Sequence, residues 1–317
     1  MEQKAIQMGA AVLALALLLR LAGTWEGGKE ELGRTLLLFS SGRLVTETVP
    51  PQMEQPTVPT QAHVEEAAAV PAFGQAHEGI VQVNAAWEVD IPALLRQPLQ
   101  WQLKGEQPTV LILHSHATES YEKETGYTET SPYRTLDTQY NMVSVGDRVA
   151  EILEAGGIRV IHDRTLHDYP SYNDAYANAR SAMEACLGEN SGVVLVLDLH
   201  RDAAEDASGN QKSTAVVVDG RSTAKLMFVM GSDKGSLSYP YWEQNLALAV
   251  KLQAQLEQSH PGICRPIKLC ASRYNQDLST GALLVEVGTA GNTHAEALSA
   301  AEFLAEGILS LANGANI

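Results

Sequence analysis

Runs of consecutive apolar residues alternate with segments of helical periodicity over the C-terminal three quarters of the chain. The runs TVLIL (109–113), GVVLVLDLH (192–200) and ALLVEVG (282–288) have the length of strands and little of the alternation expected of half-exposed ones. Strands buried on both faces and separated by helices are typical of parallel sheets. The pattern predicts an α/β fold with a mostly parallel central sheet covered by helices on both faces. Further strands are predicted at 158–163, 213–220 and 224–232, and helices at 141–157, 171–187, 241–259 and 293–312.

The N-terminal quarter has a different pattern. Its apolar run from Met8 to Leu19 is short for a membrane span of about 20 residues, and it fits either a membrane anchor or the apolar region of a signal peptide. Residues 46–74 contain five prolines, a composition typical of an extended linker. We expect an uncleaved signal-anchor at 1–27, a Pro-rich linker at 28–84 and a folded catalytic domain at 85–317.

Charge and cysteine content exclude several classes of protein. The chain has 38 acidic and 22 basic residues, a formal net charge of −16, and no basic stripe, which argues against a nucleic-acid partner. Its cysteines, Cys186, Cys264 and Cys270, form no CxxC pair and indicate neither a disulfide framework nor a cysteine-ligated zinc site. The sequence also lacks a GxSxG nucleophile elbow and the glycine loops that bind nucleotides.

Polar side chains able to bind metal or move protons stand at the carboxyl ends of three predicted strands. They are His114, His116 and Glu119 after the first strand, His200 at the end of the second and Glu286 within the third. In open α/β sheets, ligands gather at this edge. Imidazole and carboxylate groups without cysteine suit a catalytic zinc that keeps one position open for water. The residues therefore predict a zinc hydrolase with His116, Glu119 and His200 as the ligands.

Each of these residues also has a structural interpretation. A single histidine at a strand end is more often a hydrogen-bonded structural residue than a metal ligand. His114 and His116 are spaced at strand period, so both are expected to face the same side, with only one of them bound to metal. A carboxylate inside an apolar strand is unfavourable unless it is paired or its pKa is raised. Glu286 is therefore expected either to act chemically or to form a buried salt bridge with Arg201 or Arg273.

Several blocks of the sequence resemble one known family. VLILHSHATESY, VLVLDLHRDA and SRYNQDLSTGALLVEVGTAGNTHAEAL, together with the segments between them, are similar in order and content to stage II sporulation protein P from about residue 88 to 312. The resemblance implies a zinc-dependent N-acetylmuramoyl-L-alanine amidase, with a fold like that of zinc amidases and zinc carboxypeptidases. The implied activity is peptidoglycan hydrolysis in septal wall thinning and engulfment during endospore formation.

The resemblance also implies roles for individual residues. His116 and His200 match the zinc histidines of such amidases, and Glu286 matches their catalytic glutamate. The carboxylate ligand has two candidates: Glu119, which we favour for its His-x-x-Glu spacing, and Asp137, which lies where many amidases place their ligand glutamate. Apart from the resemblance, the expected mechanism adds Arg201 or Arg273 for stabilising the oxyanion, and His114, Arg273, Asn275 and Asn292 are the candidates for binding substrate.

The same resemblance implies a cellular setting. The expected partners are peptidoglycan and stage II sporulation proteins D and M. A single N-terminal span would hold the catalytic domain outside the cytoplasm, between the mother cell and forespore membranes. Two rival functions stay open: a zinc carboxypeptidase or endopeptidase acting on stem peptides, and a non-catalytic scaffold between membrane and wall.

Overall fold

The computed structural model describes residues 80–99, 101–123 and 127–314. These residues all fall within one unit, residues 65–317. The expected signal-anchor and all but the last residues of the expected linker lie outside the described residues. Inside the described ranges, no helix is both long and apolar enough to cross a membrane.

A seven-stranded sheet forms the centre of the protein. Its strand order is β1-β8-β7-β9-β4-β2-β3, and every neighbouring pair is parallel except β7 and β9. The strands are β1 (Val83–Asn84), β2 (Val110–Leu113), β3 (Val160–His162), β4 (Leu195–Asp202), β7 (Leu226–Met230), β8 (Ile267–Leu269) and β9 (Ala282–Thr289). A separate antiparallel hairpin contains β5 (Ala215–Val218) and β6 (Arg221–Ala224). The prediction of a mostly parallel central sheet is confirmed.

Helices cover both faces of this sheet, as predicted. They are α1 (Ile91–Arg96), α2 (Met142–Ala155), α3 (Ala175–Glu189), α4 (Trp242–Ser259) and α5 (His294–Ala312). On one face, α2, α4 and α5 pack in a large apolar core with Leu195, Leu197 and Leu199 of β4. On the other face, Ala179 and Met183 of α3 pack in a smaller core with β2 and β4.

Local signals set where two of the helices begin. Asn141 caps α2 by accepting a hydrogen bond from Val143 N at 3.0 Å. Thr293 and Glu296 form a reciprocal capping box at the start of α5. These caps fix where each helix begins, and α2 begins close to the loop that follows β2.

The pattern of apolar residues missed the shortest elements. Strands β1, β6 and β8 and helix α1 have two to six residues each, too few to show a period. Strand β1 pairs with β8 and Val81 is in the core, so the described fold includes residues just before 85. The β5–β6 turn uses Asp219 and Gly220, both with positive φ, which is the turn geometry that suits the twist of a hairpin.

Candidate active site

Three neighbouring strands bring the predicted site residues to one edge of the sheet. Strand β4 lies between β2 and β9, with Leu113 of β2 opposite Asp198 and His200 opposite Glu286 of β9. Because Asp198 and His200 are two residues apart on one strand, their side chains share a face of the sheet. Glu286 projects from that same face, since it is in register with His200. The predicted convergence of strand ends is therefore confirmed for β2, β4 and β9.

His116 lies in the turn that follows β2. Its ring stacks on Tyr172 at a centroid distance of 4.5 Å and lies edge-on to His200 at 5.4 Å. Its Nδ1 is 4.0 Å from Asp168 Oδ2 and has no hydrogen-bond partner among the described residues. Burial lowers the pKa of His116, so the neutral imidazole, the form that binds metals, is favoured.

Glu119 is held between a histidine and two arginines. Its Oε2 lies 3.6 Å from His200 Nδ1 and accepts a hydrogen bond from Arg201 N at 3.2 Å. Its Oε1 accepts from Arg134 Nη2 at 3.3 Å. Burial alone would raise the pKa of Glu119, but the interaction with His200 and the charge of Arg201 lower it to about 2. The residue is only 6% exposed, so its side chain is a buried carboxylate.

His200 has a carboxylate on each side of its ring. Asp198 Oδ1 lies 2.9 Å from its Nε2, and the same carboxylate accepts hydrogen bonds from Ser115 N at 2.8 Å and Ser115 Oγ at 2.6 Å. Burial lowers the pKa of His200, but Asp198 and then Glu119 outweigh it and raise the pKa well above its usual value.

Among the acids at this edge of the sheet, Glu286 has the pKa that departs most from its usual value. Its Oε2 is fully buried and has no hydrogen-bond partner among the residues described. Burial, partly offset by the charge of His200, raises the pKa of Glu286 to about 8. A carboxyl group with that pKa exchanges protons near neutral pH, as a general acid–base must.

The donor set at this edge fits a zinc ion. The ring nitrogens that face away from the neighbouring aspartates are His116 Nε2 and His200 Nδ1, and these are the ones available to a metal ion. Glu119 supplies a carboxylate 3.6 Å from His200 Nδ1. Asp168 and Asp198 stand behind the two imidazoles, the arrangement in which carboxylates orient metal-bound histidines. The described residues contain no group of three or more His, Cys, Asp or Glu already converged at metal-binding distance. The ligand set therefore stays a prediction.

A cluster around Arg134 supports one side of the site. Arg134 Nη1 donates to Asp168 Oδ2 at 2.7 Å and to Thr118 Oγ1 at 3.0 Å. Thr118 N and Oγ1 also donate to the Asp168 carboxylate. The Arg134 guanidinium lies 4.6 Å from the centroid of Tyr172, whose ring stacks on His116. Arg134 thus ties the turn that carries His116 to the loop that carries Asp168.

His114 lies in the core rather than beside His116. Because a carbonyl can only accept, His114 Nδ1 donates to Leu199 O at 3.0 Å, and its Nε2 meets His162 Nε2 at 2.9 Å. His162 Nδ1 pairs with Asp147 Oδ1 at 2.8 Å. Burial and the neighbouring His162 lower the pKa of His114 to about 3. The expectation that His114 contacts substrate is corrected: its side chain is fully buried, with both ring nitrogens used.

The two histidines do not face the same side, contrary to the prediction from strand spacing. Strand β2 ends at Leu113, and a turn begins at Ser115. The alternation of side chains holds only while the backbone is extended. His116 therefore turns toward His200, while His114 packs against α2.

Arg201 and Arg273 are both engaged with other protein groups. Arg201 donates through Nε to Ser120 O at 3.0 Å and through Nη2 to Tyr133 O at 3.0 Å. These bonds hold the backbone on either side of the site in place, and Arg201 N contacts Glu119 directly. Arg273 Nη1 donates to Asp277 Oδ2 at 3.2 Å. The salt bridge that the sequence offered as an alternative for Glu286, to one of these arginines, does not form.

The remaining predicted residues fall in different places. Asn292 is fully buried and its side chain bonds Thr214 O and Glu296, so its expected contact with substrate is corrected to a structural role. Asn275 donates to Tyr176 O at 2.8 Å, beside the site. Asp137, the alternative ligand, is exposed and caps its own turn by accepting from Gln139 N.

Sequence reasoning overlooked several residues that complete the site. They are Asp168, Tyr172, Tyr176, Arg134 and Asp198. Asp198 had a usable signal, since it shares a strand face with His200 and interrupts an apolar run. The others lie on loops or on the first turn of α3, where spacing gives no indication of orientation.

Comparison with known proteins gives matches over most of the chain. A family model described as Stage II sporulation protein P (SpoIIP) matches residues 39–309. "Stage II sporulation protein P" of Bacillus subtilis (strain 168) is 30% identical over 218 residues, which are 65% of this chain and 51% of that protein. The chain therefore spans about half the length of the curated relative that it matches.

The solved structures that match this chain have low sequence identity to it. N-acetylmuramoyl-L-alanine amidase AmiC2 of Nostoc punctiforme is 16% identical, with a TM-score of 0.40, over 65% of this chain and 97% of that chain. The amidase Ami1 from Mycobacterium smegmatis is 13% identical, with a TM-score of 0.40, over 67% of this chain and 99% of that chain.

Proposed function

Because the chain belongs to the stage II sporulation protein P family, we propose that it is a zinc-dependent N-acetylmuramoyl-L-alanine amidase. It cleaves the amide bond between N-acetylmuramic acid and the L-alanine of the stem peptide, in septal wall thinning and engulfment during endospore formation. One observation carries the proposal. His116, Glu119, His200 and an acid with a pKa of about 8, Glu286, lie together at the carboxyl edge of β2, β4 and β9.

The side chains that would hold zinc are His116, Glu119 and His200. When bound, zinc supplies Lewis-acid chemistry: it polarises a carbonyl group and makes water a nucleophile near neutral pH. Asp198 and Ser115 orient His200, because the Asp198 carboxylate is fixed by both the backbone N–H and the hydroxyl of Ser115. The buried cluster thus presents two imidazoles and a carboxylate whose orientations are set by the surrounding protein.

Glu286 would move the proton in amide hydrolysis. An amide nitrogen leaves readily only if it is protonated, so the reaction needs a group that takes a proton from the attacking water and gives it to that nitrogen. Glu286 Oε2 is buried without a hydrogen-bond partner in the described residues, so it is free to hold that proton. Its pKa of about 8 suits both halves of the transfer.

The contacts of the arginines favour an amidase over a carboxypeptidase. A carboxypeptidase needs a cation for the free terminal carboxylate of its substrate. Arg134, Arg201 and Arg273 are each bonded to protein carboxylates or carbonyl oxygens. An internal amide bond between a sugar acid and a peptide requires no such cation, which agrees with these contacts.

Digestion of purified muropeptides tests the reaction. We expect the wild-type protein loaded with zinc to release a free L-alanine amine and an intact lactyl acid, identified by mass spectrometry. Glu286→Gln keeps the shape of the side chain and is expected to lower kcat by about 10²- to 10⁴-fold without loss of bound zinc. Glu154→Gln, which alters an exposed glutamate on α2, is the matched control. New peptide ends within the stem would show an endopeptidase instead.

The cellular proposal follows from the sequence. Residues 1–27 are proposed to anchor the protein in the membrane with the catalytic domain outside the cytoplasm, between the mother cell and forespore membranes. Stage II sporulation proteins D and M are the proposed partners. Protease protection in sporulating cells, with co-purification of D and M, tests both points. Normal engulfment by cells carrying Glu286→Gln would instead support a non-catalytic scaffold.

A further inference from the structure

Tyr176 lies against both histidines of the candidate site. It is in the first turn of α3, and its ring is edge-on to His116 at 5.3 Å and parallel to His200 at 6.2 Å. No other tyrosine in the described residues contacts both of these imidazoles. Its ring therefore forms one wall of the space in which a substrate would meet the metal-binding side chains.

Charged groups of the candidate site act on the hydroxyl of Tyr176. Burial raises the pKa of this hydroxyl, and the negative charges of Asp198, Glu286 and Glu119 raise it further. These three carboxylates surround His200 on β4, on β9 and on the turn after β2. The hydroxyl of Tyr176 therefore lies within range of the charges that surround His200, and its ring contacts both His116 and His200.

This hydroxyl has no partner within the part of the chain that the structure describes. The side-chain hydrogen bond that involves Tyr176 uses its backbone carbonyl, which accepts from Asn275 Nδ2 at 2.8 Å. Other tyrosines of the core use their hydroxyls: Tyr121 donates to Val287 O at 2.9 Å, and Tyr239 accepts from Asn245 at 2.6 Å. A hydroxyl left unbonded on a ring that contacts both candidate metal-binding histidines is available to a ligand.

The backbone that fixes Tyr176 is itself in an uncommon conformation. Tyr274 and Asn275 both have left-handed φ values, 50° and 57°, a conformation that costs a residue with a side chain about 1–2 kcal/mol. The Asn275 amide holds the Tyr176 carbonyl, and Tyr274 faces the Tyr176 ring at 6.2 Å. The segment after β8 thus contacts Tyr176 at both its backbone carbonyl and its ring.

We propose that Tyr176 is a further catalytic residue, whose hydroxyl donates a hydrogen bond to the scissile carbonyl oxygen as that oxygen gains negative charge. The inference rests on the proposed amidase function and adds a residue to it. An ordinary tyrosine is neutral at the pH of the reaction and keeps its proton, so it acts as a donor and not as a proton carrier. Glu286 moves the proton, and Tyr176 stabilises the charge. A donor aimed at a developing oxyanion contributes more to the transition state than to the bound substrate.

Tyr176→Phe isolates the hydroxyl, because phenylalanine keeps the ring that packs on His116 and His200. With the whole 317-residue chain and purified muropeptides, we expect kcat to fall by about 10²-fold while KM stays within about twofold. Bound zinc and the midpoint of thermal unfolding should match those of the wild type. Tyr241→Phe, which removes an exposed hydroxyl just before α4, is the matched control and should leave kcat unchanged.

The outcomes separate this inference from the function on which it rests. Wild-type activity with an unchanged kcat for Tyr176→Phe would overturn the role of Tyr176 and leave the amidase proposal standing. A lower activity accompanied by loss of zinc or a lower unfolding midpoint would also overturn it, since the hydroxyl would then act on structure. A wild-type protein that releases no L-alanine amine from any muropeptide would refute the amidase and, with it, this inference.

Discussion

Replacement of Gly146 by alanine should break a buried pair of histidines behind the candidate site. Gly146 lies within helix α2, and a Cβ there would be 2.5 Å from His162 Nε2 and 2.6 Å from His114 Nε2. Contacts of that kind normally begin near 3.4 Å, so both rings would have to move by about 1 Å. Neither ring is free to move, because Leu199 O holds His114 and Asp147 holds His162.

The expected loss of stability combines three contributions. Moving the rings breaks the 2.9 Å contact between them and leaves a buried ring nitrogen unbonded, which destabilises the protein by about 1–3 kcal/mol. Forcing an extra methyl group into a packed region adds about 1–3 kcal/mol. Alanine in a helix offsets this by about 0.5–1 kcal/mol relative to glycine. The net expectation is a decrease of about 1–5 kcal/mol in the free energy of unfolding.

Urea denaturation followed by circular dichroism measures this difference. Gly188→Ala in α3 is the matched control, because nothing lies within 4 Å of the Cβ that it would add. It should stabilise the protein by up to about 1 kcal/mol. If Gly146→Ala proves as stable as the wild type, or if the two variants behave alike, the reasoning about the His114–His162 pair is refuted.

Two further predictions concern a carboxylate and a lysine. Asp198→Asn removes the charge beside His200, and we expect the affinity of the protein for zinc to fall by about 10- to 100-fold. Competition with a chelating dye measures this affinity. An unchanged affinity would show that Asp198 does not support the zinc site. Lys251 is buried, donates to Leu95 O, and has its pKa lowered by burial from 10.5 to about 8. Between pH 8 and pH 10.5 the unfolded chain therefore binds more protons than the folded protein. The free energy of unfolding of the wild type should rise relative to that of Lys251→Met by up to about 3 kcal/mol between pH 7 and pH 10. Urea denaturation of both proteins at the two pH values checks this, and a constant difference between them would contradict it.

The sequence by itself determined the class of fold and the edge of the sheet at which the candidate site lies. Three continuous apolar runs of strand length indicated strands buried on both faces, and such strands are typical of parallel sheets in which helices separate the strands. Since the carboxyl ends of neighbouring parallel strands meet at one edge, residues as far apart as His116, His200 and Glu286 could be placed together without a structure. Residue type then indicated metal-assisted chemistry, because imidazole and carboxylate groups at one place have few other common uses.

Only the tertiary structure decided which polar side chains face that edge and what orients them. His114 and His116 differ by two positions, yet one enters the core and the other the site, because the chain turns between them. Asp168 and Asp198 contact residues 50 and 83 positions away, and no local pattern encodes such partners. In the sequence, Tyr176 and Asn292 are both polar residues in a loop or at a helix end. In the structure, the Tyr176 hydroxyl has no hydrogen-bond partner among the described residues and belongs to a ring beside the site, whereas the Asn292 amide is hydrogen-bonded in the core. Periodicity specifies the face of a regular element, whereas the direction of a side chain on a turn depends on the elements packed around it.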